Sequence, residues 1–434
     1  MNALSSRLAR NKGFTLALLG LAVSAAALPL AAAESGFVED ATANLNLRNF
    51  YFNRNFINPT YTAQDKAEEW TQSFILDAKS GYTQGVVGFG VDVLGLYAVK
   101  LDGGAGTYGT QLLPTHAGNE PADDFGRLAV AGKVKFSKTE LKVGEWMPVL
   151  PILRGDDGRS LPQTFQGAQV TSKEIDGVTL YGGQFRQNSP RNDASMEDMF
   201  LNGKAGATSD RFNFAAGEYT FNDKRTLVGL WGAQLEDIYK QQYVQLLHSQ
   251  PLGDWTLGAN LGFFHGSDDG SALAGDMNNR TYSGLFSAKY GGHTFYVGLQ
   301  KVTGDTLWMR VNGTSGGTLA NDTYTSSFEN LKEKSWQLRY DYNFAAMGIP
   351  GLTLMNRYLQ GSNVHVAASR TAAEIDDGKE WARETELAYT VQSGTFKALS
   401  VRWRNSSLRR DFVANGNGDY NENRVIINYP FSLL

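Results

Sequence analysis

Hydrophobic and polar side chains alternate over long stretches of this chain. In 85–101, GVVGFGVDVLGLYAVKL, the odd-numbered positions are mostly apolar, whereas Asp92 and Lys100 lie on the opposite face. The same period of two recurs in 127–136, 399–404 and 424–431. This period predicts β-strands with one apolar face. Several stretches reach ten residues or more, which exceeds an average soluble strand and suits a tilted strand that crosses a membrane.

Short turns and long polar loops alternate between the predicted strands. Eight short turns and nine long loops make 17 connections and therefore 18 strands, with both termini on the short-turn side. This layout predicts an all-β fold, an 18-stranded antiparallel transmembrane β-barrel, in which closure leaves no backbone group unpaired in lipid. No internal repeat supports a propeller or a solenoid. The predicted short turns are Ser80-Gly81, Ser137-Lys138, Asp176-Gly177, Asn222-Asp223, Pro251–Asp254, Gly291-Gly292, Met347–Gly351 and Ser393-Gly394.

The first 33 residues have the pattern of a secretory signal peptide. Arg7, Arg10 and Lys12 precede an apolar stretch that ends in Ala31-Ala32-Ala33. Such a segment is removed on export, although an anchoring transmembrane helix is the alternative. We expect residues 34–434 to form one barrel in the outer membrane of a Gram-negative cell, in contact with outer-membrane lipid and lipopolysaccharide.

Composition and charge exclude several classes of function. Residues 34–434 carry 37 Lys and Arg against 44 Asp and Glu, a net charge of −7, which is not the footprint of a nucleic-acid-binding protein. The chain has no cysteine, so disulfide and thiolate chemistry are absent. Its five histidines occur in no known metal or nucleophile motif. We therefore expect no metal, no cofactor and no catalytic residues.

One long segment, 147–166, interrupts the alternating pattern. It contains three prolines, which fix φ and stiffen the backbone. Its apolar residues Val149, Leu150, Ile152, Leu153 and Phe165 need a surface to pack on. We expect this third long loop to fold into the lumen as a constriction, because an 18-stranded barrel would otherwise enclose a wide channel. The alternative is a surface loop with solvated charges. The charged residues that would then face a passing solute are Arg154, Asp156, Asp157 and Arg159.

Many blocks of the chain resemble the OprD-like porins, which are outer-membrane carboxylate channels of pseudomonads. The matching blocks include LRNFYFNRNF, DDFGRLAVAGKVKFSKTELKVGEW, RSLPQTFQG, EKSWQLRYDYN, VQSGTFKALSVRWR and NENRVIINYPFSLL, and they span the chain after residue 33. The resemblance implies an 18-stranded barrel, as a monomer or a weakly associated trimer. It also implies constriction by inward-folded loops and passive uptake of small water-soluble carboxylates.

The resemblance further implies a row of basic lumen residues that guide the substrate carboxylate. A guanidinium group suits this task because its planar fork offers paired N–H donors. Alternation independently places Arg402, Arg404 and Arg424 on the polar face. Arg48, Lys133, Lys135 and Arg357 share the polar face of their own strands. The residues expected to bind or pass the substrate are Arg54, Arg159, Arg402, Arg404, Arg424, Lys133, Arg357 and Arg48, with Lys135 as a weaker candidate.

Two departures from the family pattern bear on the substrate. Ser327 stands where channels for basic amino acids carry an acidic residue in the seventh loop, and only Asp322 is near it. Ala388 replaces a lysine in the sixteenth strand. These departures favour small carboxylates, in particular aromatic acids of the benzoate type, over the alternative of basic amino acids or peptides.

Other classes of outer-membrane barrel fit the sequence less well. An outer-membrane hydrolase would need a catalytic motif, and a purely structural or adhesive barrel would not need a row of lumen arginines. A plugged active transporter would need an N-terminal plug, whereas the first strand is predicted to begin near Ala43.

Overall fold

The 18 strands of the chain form one closed antiparallel barrel. The computed structural model describes residues 36–57, 64–367, 374–412 and 418–434. Each barrel strand pairs with the strands that precede and follow it in the sequence. The first strand also pairs with the last, with Arg48 opposite Asn428, which closes the ring. The predicted fold class is thus confirmed. The predicted signal peptide, residues 1–33, lies outside the described residues.

Most strands are 10 to 16 residues long, as the alternating pattern predicts. The first nine are β1 (Thr42–Phe56), β2 (Lys66–Lys79), β3 (Val87–Asp102), β4 (Asp124–Phe136), β5 (Thr139–Trp146), β6 (Thr164–Ser172), β7 (Val178–Ser189), β8 (Phe212–Phe221) and β9 (Thr226–Leu235). The last nine are β10 (Tyr239–Leu252), β11 (Trp255–Asp268), β12 (Asn278–Tyr290), β13 (His293–Gly304), β14 (Lys334–Asn343), β15 (Leu352–Val366), β16 (Ile375–Thr390), β17 (Ser400–Arg410) and β18 (Tyr420–Ser432).

Within the part of the chain that the structure describes, the remaining regular elements are short and lie between barrel strands. One 3₁₀ helix, Phe344–Met347, forms the turn between β14 and β15. Val149–Leu150 pairs with Leu153–Arg154, and Met199–Phe200 pairs with Thr208–Ser209. Within the described ranges, no helix is long and apolar enough to cross a membrane.

Apolar side chains cover the outward face of the barrel, and polar side chains alternate with them in many strands. In β17, Val401 and Trp403 are 39% and 41% exposed, and both lie on the face opposite Arg402 and Arg404. In β4, Leu128 and Val130 are 49% and 44% exposed, while the alternate residues Ala129 and Ala131 are buried. The polar face predicted from the period of two is therefore the face that lines the lumen.

The short turns and long loops lie where the alternation places them. Three predicted short turns are longer in the structure, at 80–86, 344–351 and 391–399, and the fifth long loop contains only 236–238. The turn predicted at Pro251–Asp254 is shorter than expected. Strand β10 runs through Leu252, which stands opposite Trp255, so the turn itself contains only Gly253 and Asp254. The start of β1 and the end of β18 meet on the short-turn side, where the Leu433 N–H donates to the Ala43 carbonyl over 2.7 Å.

Candidate functional site

The third long loop, residues 147–163, crosses the interior of the barrel. Arg48 of β1 pairs with Asp157 of this loop, with 2.7 Å between Nη1 and Oδ1. The hydroxyl groups of Thr71 in β2 and Ser160 in the loop lie 2.8 Å apart. These partners lie on strands far from β5 and β6, which the loop connects. The loop therefore reaches across the lumen.

Apolar side chains hold the third loop in this position. Leu150, Ile152, Leu153 and Phe165 are all at least 94% buried, within a cluster that includes inward-facing residues of β7 to β11. Val149 is the exception, at 56% exposed. The apolar content that the sequence shows thus packs inside the barrel.

The seventh long loop, residues 305–333, meets the third loop inside the barrel. The Thr318 hydroxyl donates to the Pro151 carbonyl over 2.8 Å, and the Ser315 N–H donates to the Arg154 carbonyl over 2.9 Å. The two loops together enclose a cavity of about 890 Å³ against the inner faces of β1, β15, β17 and β18.

Arginine dominates the lining of this cavity. Among the described residues, eleven arginines line it, against four carboxylates. Ten residues predicted as site or constriction residues are brought together here: Arg48, Arg54, Arg154, Asp156, Asp157, Arg159, Arg357, Arg402, Arg404 and Arg424. The cavity also contains arginines that the sequence reasoning missed, namely Arg191, Arg310 and Arg410.

Lys133 and Lys135 lie outside the cavity. Lys133 is on the lumen-facing side of β4. It pairs with Asp92 of β3, at 2.7 Å between Nζ and Oδ1. It also donates to the Ser80 carbonyl in the first short turn. Lys135 lies over the Tyr82 ring, 5.4 Å from its centroid. Both lysines are therefore near the short-turn end of the barrel.

A buried carboxylate joins two of the predicted arginines. Glu422 accepts from Arg54 Nη2 at 2.7 Å through one oxygen and from Arg424 Nε at 2.5 Å through the other. The Arg54 guanidinium also lies 4.1 Å from the centroid of the Tyr420 ring. These contacts fix the orientation of both arginines at the wall formed by β1 and β18.

Arg402 and Arg404 of β17 share one acid. Glu386 of β16 lies 2.6 Å from Arg404 Nε and 3.3 Å from Arg402 Nε. Arg402 keeps 42% of its side chain exposed, so much of its guanidinium faces open lumen. In the same strand pair, Ala388 stands opposite Arg402, so the missing lysine leaves space beside this exposed cation.

Two loop arginines have no acidic partner among the described residues. No carboxylate of those residues lies within 4.0 Å of Arg154 or Arg159. Arg159 instead donates from Nε to the Thr110 carbonyl over 2.7 Å and lies 5.1 Å from the Phe52 ring centroid. Burial, together with the like charge of Arg191, lowers the pKa of Arg159 from its usual value. An arriving anion would relieve this unbalanced positive charge.

Tyr324 of the seventh loop is the main aromatic group that the sequence reasoning missed. Its ring centroid lies 4.7 Å from the Arg404 guanidinium carbon and 5.3 Å from that of Arg424. Its hydroxyl donates to the carbonyls of Thr385 and Asn405, at 3.2 and 3.3 Å. These bonds hold the loop against β16 and β17. A non-periodic loop offers no pattern that would have indicated this position.

Asp322 is the acid of the seventh loop that the sequence left in question. It lines the cavity and accepts from the Ser327 hydroxyl over 2.6 Å. Burial raises the pKa of Asp322 to about 7, and Arg310 offsets only part of this effect. At this pKa, Asp322 is divided between its neutral and charged forms near neutral pH, which weakens it as a counter-ion for an ammonium group.

One cluster outside the cavity combines a histidine with two acids. His365 Nδ1 lies 2.7 Å from Asp376 Oδ1, and its Nε2 lies 3.7 Å from Glu374 Oε1. The ligand atoms of these three residues all lie within 4.8 Å of one another. It is the only such cluster found among the described residues.

Comparison with known proteins agrees with this architecture. The family model described as outer membrane porin, OprD family, matches residues 35–433. The porin-like protein GalP of Pseudomonas putida is 67% identical over 411 residues, which cover 94% of this chain and 96% of GalP. Three crystal structures were also compared. Each match includes 92% of this chain and 100% of the crystallised chain.

The crystal structures share the fold closely. A BenF-like porin from Pseudomonas fluorescens is 72% identical, with a TM-score of 0.88. OccK2 of Pseudomonas aeruginosa, solved in complex with glucuronate, is 63% identical, with a TM-score of 0.83. OpdK of the same species, solved with vanillate, is 48% identical, with a TM-score of 0.83. The chain therefore belongs to the OprD family of outer membrane porins.

Proposed function

We propose that this porin is a passive channel selective for small carboxylates, with a preference for aromatic acids of the benzoate type. The observation that best supports this proposal is the cavity between the third and seventh loops, where arginines outnumber carboxylates. In this reading the third loop is the constriction, since it places Arg154 and Arg159 beside the path that the two loops leave open.

The ion pairs of the cavity explain how an anion would be passed along without being trapped. Most of the arginines are already oriented by an acid, so each offers its remaining N–H groups rather than a bare charge. A carboxylate leaving water needs such replacement donors, and conduction requires that no single site hold it strongly. Arg402 and Arg404, which share Glu386, form one such step. Arg54 and Arg424, which share Glu422, form another.

The aromatic preference rests on Tyr324 and Asp322. The Tyr324 ring lies among guanidinium groups and offers an apolar face to an aromatic substrate whose carboxylate binds a neighbouring arginine. Asp322 is a weakened counter-ion for an ammonium group, because burial raises its pKa to about 7 and it is only partly charged near neutral pH. Glucuronate and vanillate, found with two relatives, are both carboxylates, and vanillate is aromatic.

A basic amino acid channel is the second candidate. The cavity does contain Asp322 and Glu329 on the side of the seventh loop, and these could face a substrate ammonium group. Glu329, however, is held by Arg310, with 2.7 Å between Nη2 and Oε1. The geometry therefore favours the carboxylate channel.

Liposome swelling with the purified protein tests the proposal. We expect benzoate to enter faster than arginine and faster than a neutral solute of similar size, at equal osmolarity. Empty liposomes provide the baseline. Equal entry of benzoate and the neutral solute would contradict carboxylate selectivity, and faster entry of arginine would favour the second candidate.

A further inference from the structure

The outward face of the barrel carries a row of cations close to its long-loop end. Each cation lies two residues toward the loops from an outward apolar residue, on the same face of the same strand. The apolar residues are Tyr282, Leu299, Trp336 and Trp381, which are 36 to 53% exposed. We call the cations the outer basic belt, and they are Arg280 of β12, Lys301 of β13, Lys334 of β14 and Lys379 of β16.

Aromatic contacts join Trp336 and Trp381 through Tyr358 of β15 into a girdle below the belt. The ring centroids of Trp336 and Tyr358 lie 5.7 Å apart, and those of Tyr358 and Trp381 lie 6.0 Å apart. Such girdles mark the boundary between hydrocarbon and headgroups. Two residues add about 7 Å along a strand, and a strand tilt of about 40° reduces this to roughly 5 Å above the girdle. The belt thus lies at the level of lipid headgroups.

The belt lacks counter-ions of its own. Lys301 stands directly opposite Lys334 in the β13–β14 ladder, an arrangement of like charges that destabilises a sheet. No carboxylate of the described residues lies within 4.0 Å of Arg280, Lys301 or Lys334. Lys379 has only a distant partner, Asp377, with 3.7 Å between Nζ and Oδ2.

Two other cations of the outward rim are paired with acids of the protein. Arg186 of β7 pairs with Asp210, and Arg211, just before β8, pairs with Glu236 at 3.0 Å between Nη1 and Oε2. Both arginines are nearly half exposed, like the belt residues, so exposure alone does not explain the difference. The belt cations of β12 to β14 have no carboxylate of the described residues within 4.0 Å, so they are available to bind an external anion.

We propose that the outer basic belt binds phosphorylated glycolipid of the outer leaflet through its phosphate groups. The long-loop end of an outer-membrane barrel faces the cell exterior, so the lipid at this height is the lipid A of lipopolysaccharide. Neighbouring strands are about 4.8 Å apart, and Arg280 stands opposite Thr303, two residues beyond Lys301. The backbones of Arg280, Lys301 and Lys334 therefore lie within about 12 Å of one another. Cations at this spacing can surround one phosphate group with charge-assisted hydrogen bonds. The belt faces away from the lumen, so this role is independent of transport.

Binding of lipid A to the purified full-length protein in detergent tests the proposal. The probes are bisphosphorylated lipid A, dephosphorylated lipid A and phosphatidylglycerol, with affinity measured by native mass spectrometry. The variant is K301Q/K334Q, and the matched control is R186Q/R211Q, which removes two outward cations that are already paired. We expect the belt variant to bind lipid A about 30-fold more weakly than the wild type, and the control to bind like the wild type.

Single-channel conductance of the belt variant verifies its folding, because neither lysine lines the cavity. If K301Q/K334Q does not fold, K301Q alone is expected to weaken binding about fivefold. Unchanged lipid A affinity in the folded belt variant would overturn the proposal. Equally tight binding of dephosphorylated lipid A or of phosphatidylglycerol to the wild type would also overturn it.

Discussion

Replacing Arg402 and Arg404 with glutamine changes the charge of the lumen without changing its size greatly. Both guanidinium groups contact Glu386, at 3.3 and 2.6 Å, so the double variant also leaves this acid without either partner. The local charge at this step of the channel then changes from +1 to −1, counted over Arg402, Arg404 and Glu386.

The expected effect follows from the interaction of a carboxylate with each guanidinium. At about 4 Å in a water-filled lumen, one unit charge contributes about 1 kcal/mol, or roughly fivefold in occupancy. Loss of both arginines should therefore reduce carboxylate flux about 25-fold at low concentration, and repulsion by the freed Glu386 adds to this. A neutral solute of similar size should pass almost unchanged.

A charge series separates electrostatics from shape. We expect E386Q to increase carboxylate flux, because it frees both arginines. The triple variant R402Q/R404Q/E386Q, with a local charge of zero, should fall between the wild type and R402Q/R404Q. Liposome swelling with benzoate and with a neutral sugar measures all four proteins in one assay. If benzoate and sugar flux fall together in R402Q/R404Q, or if flux does not follow charge along the series, the arginine row does not select carboxylates.

Three further predictions concern the loops. Deleting 150–160 should raise single-channel conductance, because this segment crosses the lumen; unchanged conductance would mean that it does not narrow the pore. Asp322 is mainly neutral below its pKa of about 7 and charged above it, so anion preference should fall as pH rises through about 7. The variant D322N should lose this pH dependence in reversal-potential measurements, and a retained dependence would assign it to another group. Y324A should shorten benzoate dwell times more than Y324F, which keeps the ring; equal dwell times in the two variants would exclude a role for the ring.

Alternation predicted the barrel well because each strand obeys the same physical rule. In lipid, the outer face must be apolar and every backbone polar group must be paired. The period of two and the order of short turns and long loops therefore predict the topology of the barrel. The same rule placed Arg402, Arg404 and Arg424 in the lumen. Alternation determines whether a side chain faces lipid or lumen, but not its position along the barrel axis. For this reason Lys133, on the correct face, lies near the short-turn end with Asp92 rather than in the cavity.

The loop contributions to the site could not be predicted in the same way. Tyr324, Arg191 and Arg310 lie in long loops, where no period relates position to direction. Their placement depends on long-range contacts, such as the hydrogen bond between Thr318 and Pro151 that joins the seventh loop to the third. The apolar residues of the third loop did indicate an inward path. The path of the seventh loop had no comparable signal.

Current block in a planar bilayer tests the carboxylate channel most directly. The wild-type porin would be recorded in the same salt solution, first with benzoate and then with arginine added to one side. Our account predicts concentration-dependent interruption of the current by benzoate, and none by arginine. Block by arginine without block by benzoate would contradict it, because a cavity dominated by arginine should repel that cation and hold the anion.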